Sequence, residues 1–136
     1  MSNLLERVKE HEGFRSKVYK CTEGFDTIGY GFAIKDLVLS EEISEKILVE
    51  KLDALIKRVK DKFSWLENAP QEVEDVLVEM SYQMGVSGGR KFKNALKYME
   101  HNNWTRAAEE MLDSKWHRQT PNRAKELSSI IRGLDE

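Results

Sequence analysis

The chain has one cysteine, Cys21, in 136 residues, so no internal disulfide framework can hold it together. Cys21 is therefore a small apolar side chain in a core, a reactive thiol or a residue of a site. No apolar run approaches the roughly 20 residues that a membrane span requires, so no membrane insertion is expected. The opening MSNLLERVKEHEGF is charged within its first turns and cannot form the apolar core of a signal peptide. A basic excess is also missing: the formal net charge is −2. That argues against nucleic acid as the partner, because phosphate recognition needs a concentrated basic surface. His11, His101 and His117 lack metal-ligand spacing among themselves, so no metal is expected, and no cofactor either. There are only two prolines, Pro70 and Pro121, and each stands where a helix is expected to begin. Repeats, low-complexity tracts and flexible linkers are all lacking.

What is present is a helix-rich globular composition, with 40% hydrophobic and 34% charged residues, which argues against disorder. The length fits one core and one domain. Leu4, Leu5 and Val8 make an apolar stripe after an Asn3/Glu6 capping pattern, which predicts a first helix over about 4–11 ended by Gly13. From Ser40 to about Lys62, Ile43, Ile47, Leu48, Leu52, Leu55, Ile56 and Val59 recur at helical spacing, giving one long amphipathic helix. After Pro70, the stripe Val73, Val76, Leu77, Met80 and Met84 predicts a helix stopped by Gly85. Ser87, Gly88 and Gly89 then make a turn. Shorter helices follow around Phe92–Met99 and Trp104–Leu112, and a last one opens at Thr120-Pro121 with Thr120 as its cap. Arg90, Lys91, Lys93 and Lys97 form a local basic cluster, although such a cluster is commonly just a solvated face.

One stretch does not read as helix: Glu12–Phe32, continuing to Ile34. A carboxylate at a helix end leads through an extended segment to Cys21, a tight turn at Thr22–Phe25, and the strand TIGYGFAI. Strand alternation puts Thr27, Gly29, Gly31 and Ala33 on one face and Ile28, Tyr30, Phe32 and Ile34 on the other. The glycine face is nearly bare backbone, which marks close approach of a ligand or of another chain segment. Glu12 sits at the negative end of the helix dipole, where the ionised form of a carboxylate is disfavoured. That suits an acid that must hold a proton.

Glu12, Cys21 and Thr27 stand in the pattern E-x8-C-x5-T, Tyr82-Gln83-Met84-Gly85 follows, and later comes Trp116-x-x-Gln119-Thr120-Pro121-Asn122-Arg123-Ala124. Together these resemble the ordered motifs of phage-type lysozymes (endolysins), in which the middle catalytic position is usually Asp and sometimes Cys. The resemblance covers most of the chain; the span from about Lys35 to Asn68 matches only loosely and is shorter than in larger members. It implies an α+β, predominantly helical fold of lysozyme type with two lobes. Residues 13–36 would be the lobe bearing a small antiparallel sheet and 40–63 the connecting helix. Residues 1–12 and 68–136 would form the helical lobe. It also implies a monomer acting on peptidoglycan glycan strands, cutting the β-1,4 link between N-acetylmuramic acid and N-acetylglucosamine. Such an enzyme is made in the bacterial cytoplasm and reaches the wall through a separate pore.

Glycosidic cleavage needs an acid for the leaving oxygen and a second group that activates water or stabilises the developing cation. The resemblance assigns these roles to Glu12, to Cys21 and to Thr27, whose hydroxyl would hold the attacking water. Arg123 matches the arginine that the family places beside the glutamate; a cation early in a helix is otherwise unfavourable. Gln83, Gln119 and Asn94 offer both donors and acceptors for sugar hydroxyl and acetamido groups, and Gly31 and Phe32 complete the supporting set. Trp104 and Trp116 are expected in the core. A thiol is mostly neutral near pH 7 and does not simply replace an aspartate, although a neighbouring positive charge can produce a nucleophilic thiolate. Asp26 is a substitute carboxylate that alternation turns away from Thr27. Two other readings stay open: a lytic transglycosylase, which needs chiefly the acid, and a glycan-binding protein that has lost catalysis. An amidase built on Cys21 would need a histidine brought to it, and none is visible.

Overall fold

The computed structural model describes residues 2–86, 88 and 92–135. Ser87, Gly89, Arg90 and Lys91, from the expected turn and basic cluster, lie outside the described residues. The described residues form seven α-helices and one three-stranded antiparallel sheet, an α+β class dominated by helix. Contacts divide the chain into two compact units, Met1–Glu45 and Lys46–Glu136.

The first unit opens with α1, Ser2–Glu12. Asn3 lies inside this helix, so the expected capping box is not formed. Gly13, at φ +70°, ends it as expected, its N–H donating to Lys9 O at 2.9 Å. Strands β1 (Arg15–Lys20), β2 (Asp26–Gly29) and β3 (Phe32–Ala33) form the sheet in the order β1-β2-β3. The expected strand through TIGYGFAI is a hairpin instead. Gly29 and Gly31 both have positive φ, +70° and +77°, and they bracket Tyr30 in a tight turn. β3 therefore folds back on β2, pairing Thr27 with Ala33 and Ile28 with Phe32. Positive φ is open to glycine without steric cost, so Gly-Tyr-Gly reverses the chain where simple alternation would have carried it straight on. Of the set that alternation placed on the bulky face, Phe32 and Ile34 are exposed.

α2, Glu41–Lys62, begins in the first unit and runs into the second. It is capped by Ser40, whose Oγ accepts from Ile43 N–H at 3.1 Å. The second unit continues with α3 (Gln71–Met84), α4 (Lys93–Glu100), α5 (Trp104–Leu112), α6 (Lys115–Gln119) and α7 (Pro121–Arg132). The short α6 carries too few residues for a periodic stripe and is not legible from spacing. It is capped by Ser114, which accepts from His117 N–H at 3.1 Å. Thr120 does not cap α7 through its side chain; it donates back to Trp116 O at 3.0 Å. Val73, Val76, Met80, Ala95, Met99, Ala107, Met111, Ala124 and Ile131 form the core of this unit, joined by Trp104 and Trp116, so both tryptophans lie in the core as expected. Met99 is 1% exposed. Met99→Ala should lower unfolding free energy by about 2–5 kcal/mol in a denaturant titration. A loss well under ~1 kcal/mol would mean that the surrounding helices collapse into the space.

Candidate active site

Glu12 is the last residue of α1 and is exposed. Its carboxylate lies over the β2–β3 turn: a Cβ built on Gly31 would collide with Glu12 Oε2 and sit 3.1 Å from its Cδ. The turn glycine thus makes room for the acid, so the close approach expected at the glycines is that of a side chain of the same unit. At Gly29 the same test meets the ring of Phe32 at 2.7 Å.

Cys21 and Thr27 come together. The turn between β1 and β2 is closed by Cys21 N–H donating to Phe25 O and Gly24 N–H donating to Cys21 O, both at 2.9 Å, with Gly24 at φ +86°. Cys21 is half-buried. The backbone amide of Phe25 holds its thiol below the ordinary range. The Glu23 amide and the Thr27 hydroxyl add to that, against opposing effects of desolvation and the Glu23 carboxylate. No cationic side chain is needed for this shift; the turn amides and a hydroxyl supply it. Thr27 is 4% exposed and donates from Oγ1 to Phe25 O at 2.9 Å. Asp26 is taken up by Lys20 at 2.7 Å and is exposed, so the substitute carboxylate is tied to its own cation.

In the second unit, Gln83 Oε1 accepts from Trp116 Nε1–H at 2.9 Å, which fixes the amide and leaves its NH₂ as the free donor. Trp116 also stands edge-on to Phe92, with ring centroids 5.6 Å apart. Trp116 and Gln119 line one cavity of about 380 Å³ together with Asp113 and Lys115. Asn94 is exposed on the first turn of α4. Arg123, in the first turn of α7, donates from Nε to Glu79 Oε2 on α3 at 2.8 Å. The misfit of a cation at that helix end is met by an acidic partner that the sequence reading did not single out. Glu79 falls outside every quoted motif, and only its helical register against the Val76 and Met80 stripe hinted at a half-exposed position.

The phage lysozyme family profile matches residues 9–134. The chain belongs to the phage lysozyme family. Among its relatives is "Probable T4-type lysozyme 1" of Dictyostelium discoideum, 29% identical over 160 aligned positions that span 96% of this chain and 94% of that protein. The "Pre-baseplate central spike protein Gp5" of Enterobacteria phage T4 is 31% identical over 95% of this chain and 27% of its own length. "Peptidoglycan hydrolase gp36" of Pseudomonas phage phiKMV is 25% identical over 90% of this chain and 14% of its own length. The alignment to the Dictyostelium member is longer than this chain's 136 residues, so that member carries residues absent here.

Proposed function

We propose that this chain is an endolysin-type peptidoglycan hydrolase that cuts the β-1,4 bond between N-acetylmuramic acid and N-acetylglucosamine. The observation that carries the reading is Glu12 held over a bare backbone turn, in the same compact unit as the Cys21–Thr27 pair. Glu12 gives its proton to the leaving oxygen. Thr27 accepts from the attacking water through its oxygen lone pairs, its proton being directed elsewhere. Cys21 takes the position usual for aspartate, and the turn amides that draw its thiol below the ordinary range favour an anionic role there. Gln83, with its carbonyl held by Trp116, presents a donor suited to acetamido oxygens. In the first unit Gly31 and Phe32 take supporting roles, and in the second Gln119, Asn94 and Arg123 are assigned substrate-binding or supporting roles. The partner is the glycan strand, met by a monomer. No described helix is long and apolar enough to cross a membrane, and delivery to the wall is assigned to a separate pore.

The test is turbidity loss of outer-membrane-permeabilised Gram-negative cells, with mass analysis of the released fragments. Reducing ends support the hydrolase. Anhydro ends would make the protein a transglycosylase, and glycan binding without lysis would leave a binding protein.

A further inference from the structure

Arg123 spends only part of its hydrogen-bonding capacity. Its Nε–H donates to Glu79 Oε2 at 2.8 Å, and among the described residues nothing accepts from its Nη hydrogens. A guanidinium is a rigid planar fork, so a bond at Nε fixes its plane and leaves the Nη1/Nη2 edge unspent. That edge can take a carboxylate in two parallel, charge-assisted bonds. Both residues line one groove of the second unit, a cavity of about 390 Å³ walled by Leu48, Leu52, Ile56 and Val78. Asp75 also lines it, but accepts from Gln71 Nε2 at 3.0 Å. Glu79 is the acid that meets the arginine. The pair does little for the fold: its side chains are 37% and 46% exposed, and exposed ion pairs add little net stability.

We propose that Glu79 is a positioning residue that acts through Arg123, holding the guanidinium by Nε so that its Nη1/Nη2 edge stands ready for a carboxylate. An unheld arginine samples many rotamers, and these must be given up before two parallel bonds can form. The Glu79 contact gives them up in advance, which strengthens the later bond without adding a contact to it. The proposal rests on the hydrolase reading, in which Arg123 has a binding or supporting role. The carboxylate is carried by the wall strand or is the enzyme's own general acid; the recognition chemistry is the same, and kinetics separates the two.

The test is a double-substitution cycle on Glu79 and Arg123. It is read as kcat and KM on solubilised wall fragments, as retention on whole sacculi, and as the thermal midpoint. Glu79→Leu, which matches the apolar wall, should lower kcat/KM roughly ten-fold, the measure of one charge-assisted hydrogen bond. Its thermal midpoint should stay with that of wild type. Glu79→Gln should restore most of the activity, because the amide oxygen still accepts from Nε–H. Glu79→Leu combined with Arg123→Ala should lose no more than Arg123→Ala alone. A rise in KM assigns the carboxylate to the wall strand, and a fall in kcat at constant KM assigns it to the enzyme's acid. Losses that multiply, or a Glu79→Leu variant as active as wild type, would overturn the proposal. If wild type is retained on sacculi without turnover, the hydrolase reading fails by itself. The same cycle is then read in retention, where independent losses or none overturn the positioning role.

Discussion

Replacing Glu12 by glutamine is expected to lower wall-lytic turnover by roughly 10²–10⁴-fold, the usual contribution of a general acid, with no change in the thermal midpoint. The side chains are nearly isosteric, and Glu12 is exposed at the end of α1. Surface changes of that kind stay within about 0.5 kcal/mol. The loss should appear in turnover and not in glycan affinity, since glutamine keeps the oxygen acceptor and loses only the transferable proton. A fluorogenic or turbidimetric assay beside a melting curve separates the outcomes. Activity within a few-fold of wild type would remove Glu12 from the reaction. A matching drop in melting temperature would show that the carboxylate serves the fold instead.

How far this could be read in advance depended on the kind of signal. Long helices were legible because their apolar stripes are dictated by burial. Ser40, Pro70 and Gly85 set boundaries through local chemistry that needs no tertiary context. The five-residue α6 has no stripe to read, and it turned Thr120 from the cap of the next helix into a donor back to Trp116 O. The hairpin at Gly29-Tyr30-Gly31 was misread because alternation fits a straight strand equally well; two glycines around one residue were the turn signal that alternation hid. In the candidate site, Glu12, Cys21 and Thr27 were picked out by the resemblance of their pattern to a family motif, which says nothing about who donates to whom. For the Cys21 thiol the sequence reading offered a neighbouring cation as a way to lower it. The structure uses the amides of the 21–25 turn, which no side-chain pattern can reveal. Glu79 as the partner of Arg123 was likewise invisible, because an acid on a half-exposed helix face looks the same whether solvated or paired.

Gly31→Ala is expected to be the most damaging to activity of the alanine substitutions at the described glycines. Two effects fall on one residue. The backbone sits at φ +77°, and a side chain there costs about 1–2 kcal/mol. The new Cβ also lands on the Glu12 carboxylate, so the acid must move aside. A displacement of an ångström at a reacting group is worth on the order of 10²-fold in rate. The variant should therefore lose roughly that much activity for a modest loss of stability, read by lysis kinetics and by denaturant unfolding. Gly29→Ala is the matched comparison. It lies in the same turn at φ +70°, but its Cβ meets the ring of Phe32, a side chain 47% exposed and free to swing away. It should cost similar stability and much less activity. If the two variants lose activity in equal measure, strain in the hairpin is what matters, and the placement of Glu12 over Gly31 is not. If only Gly31→Ala is crippled, the bare backbone at that position is there to seat the acid.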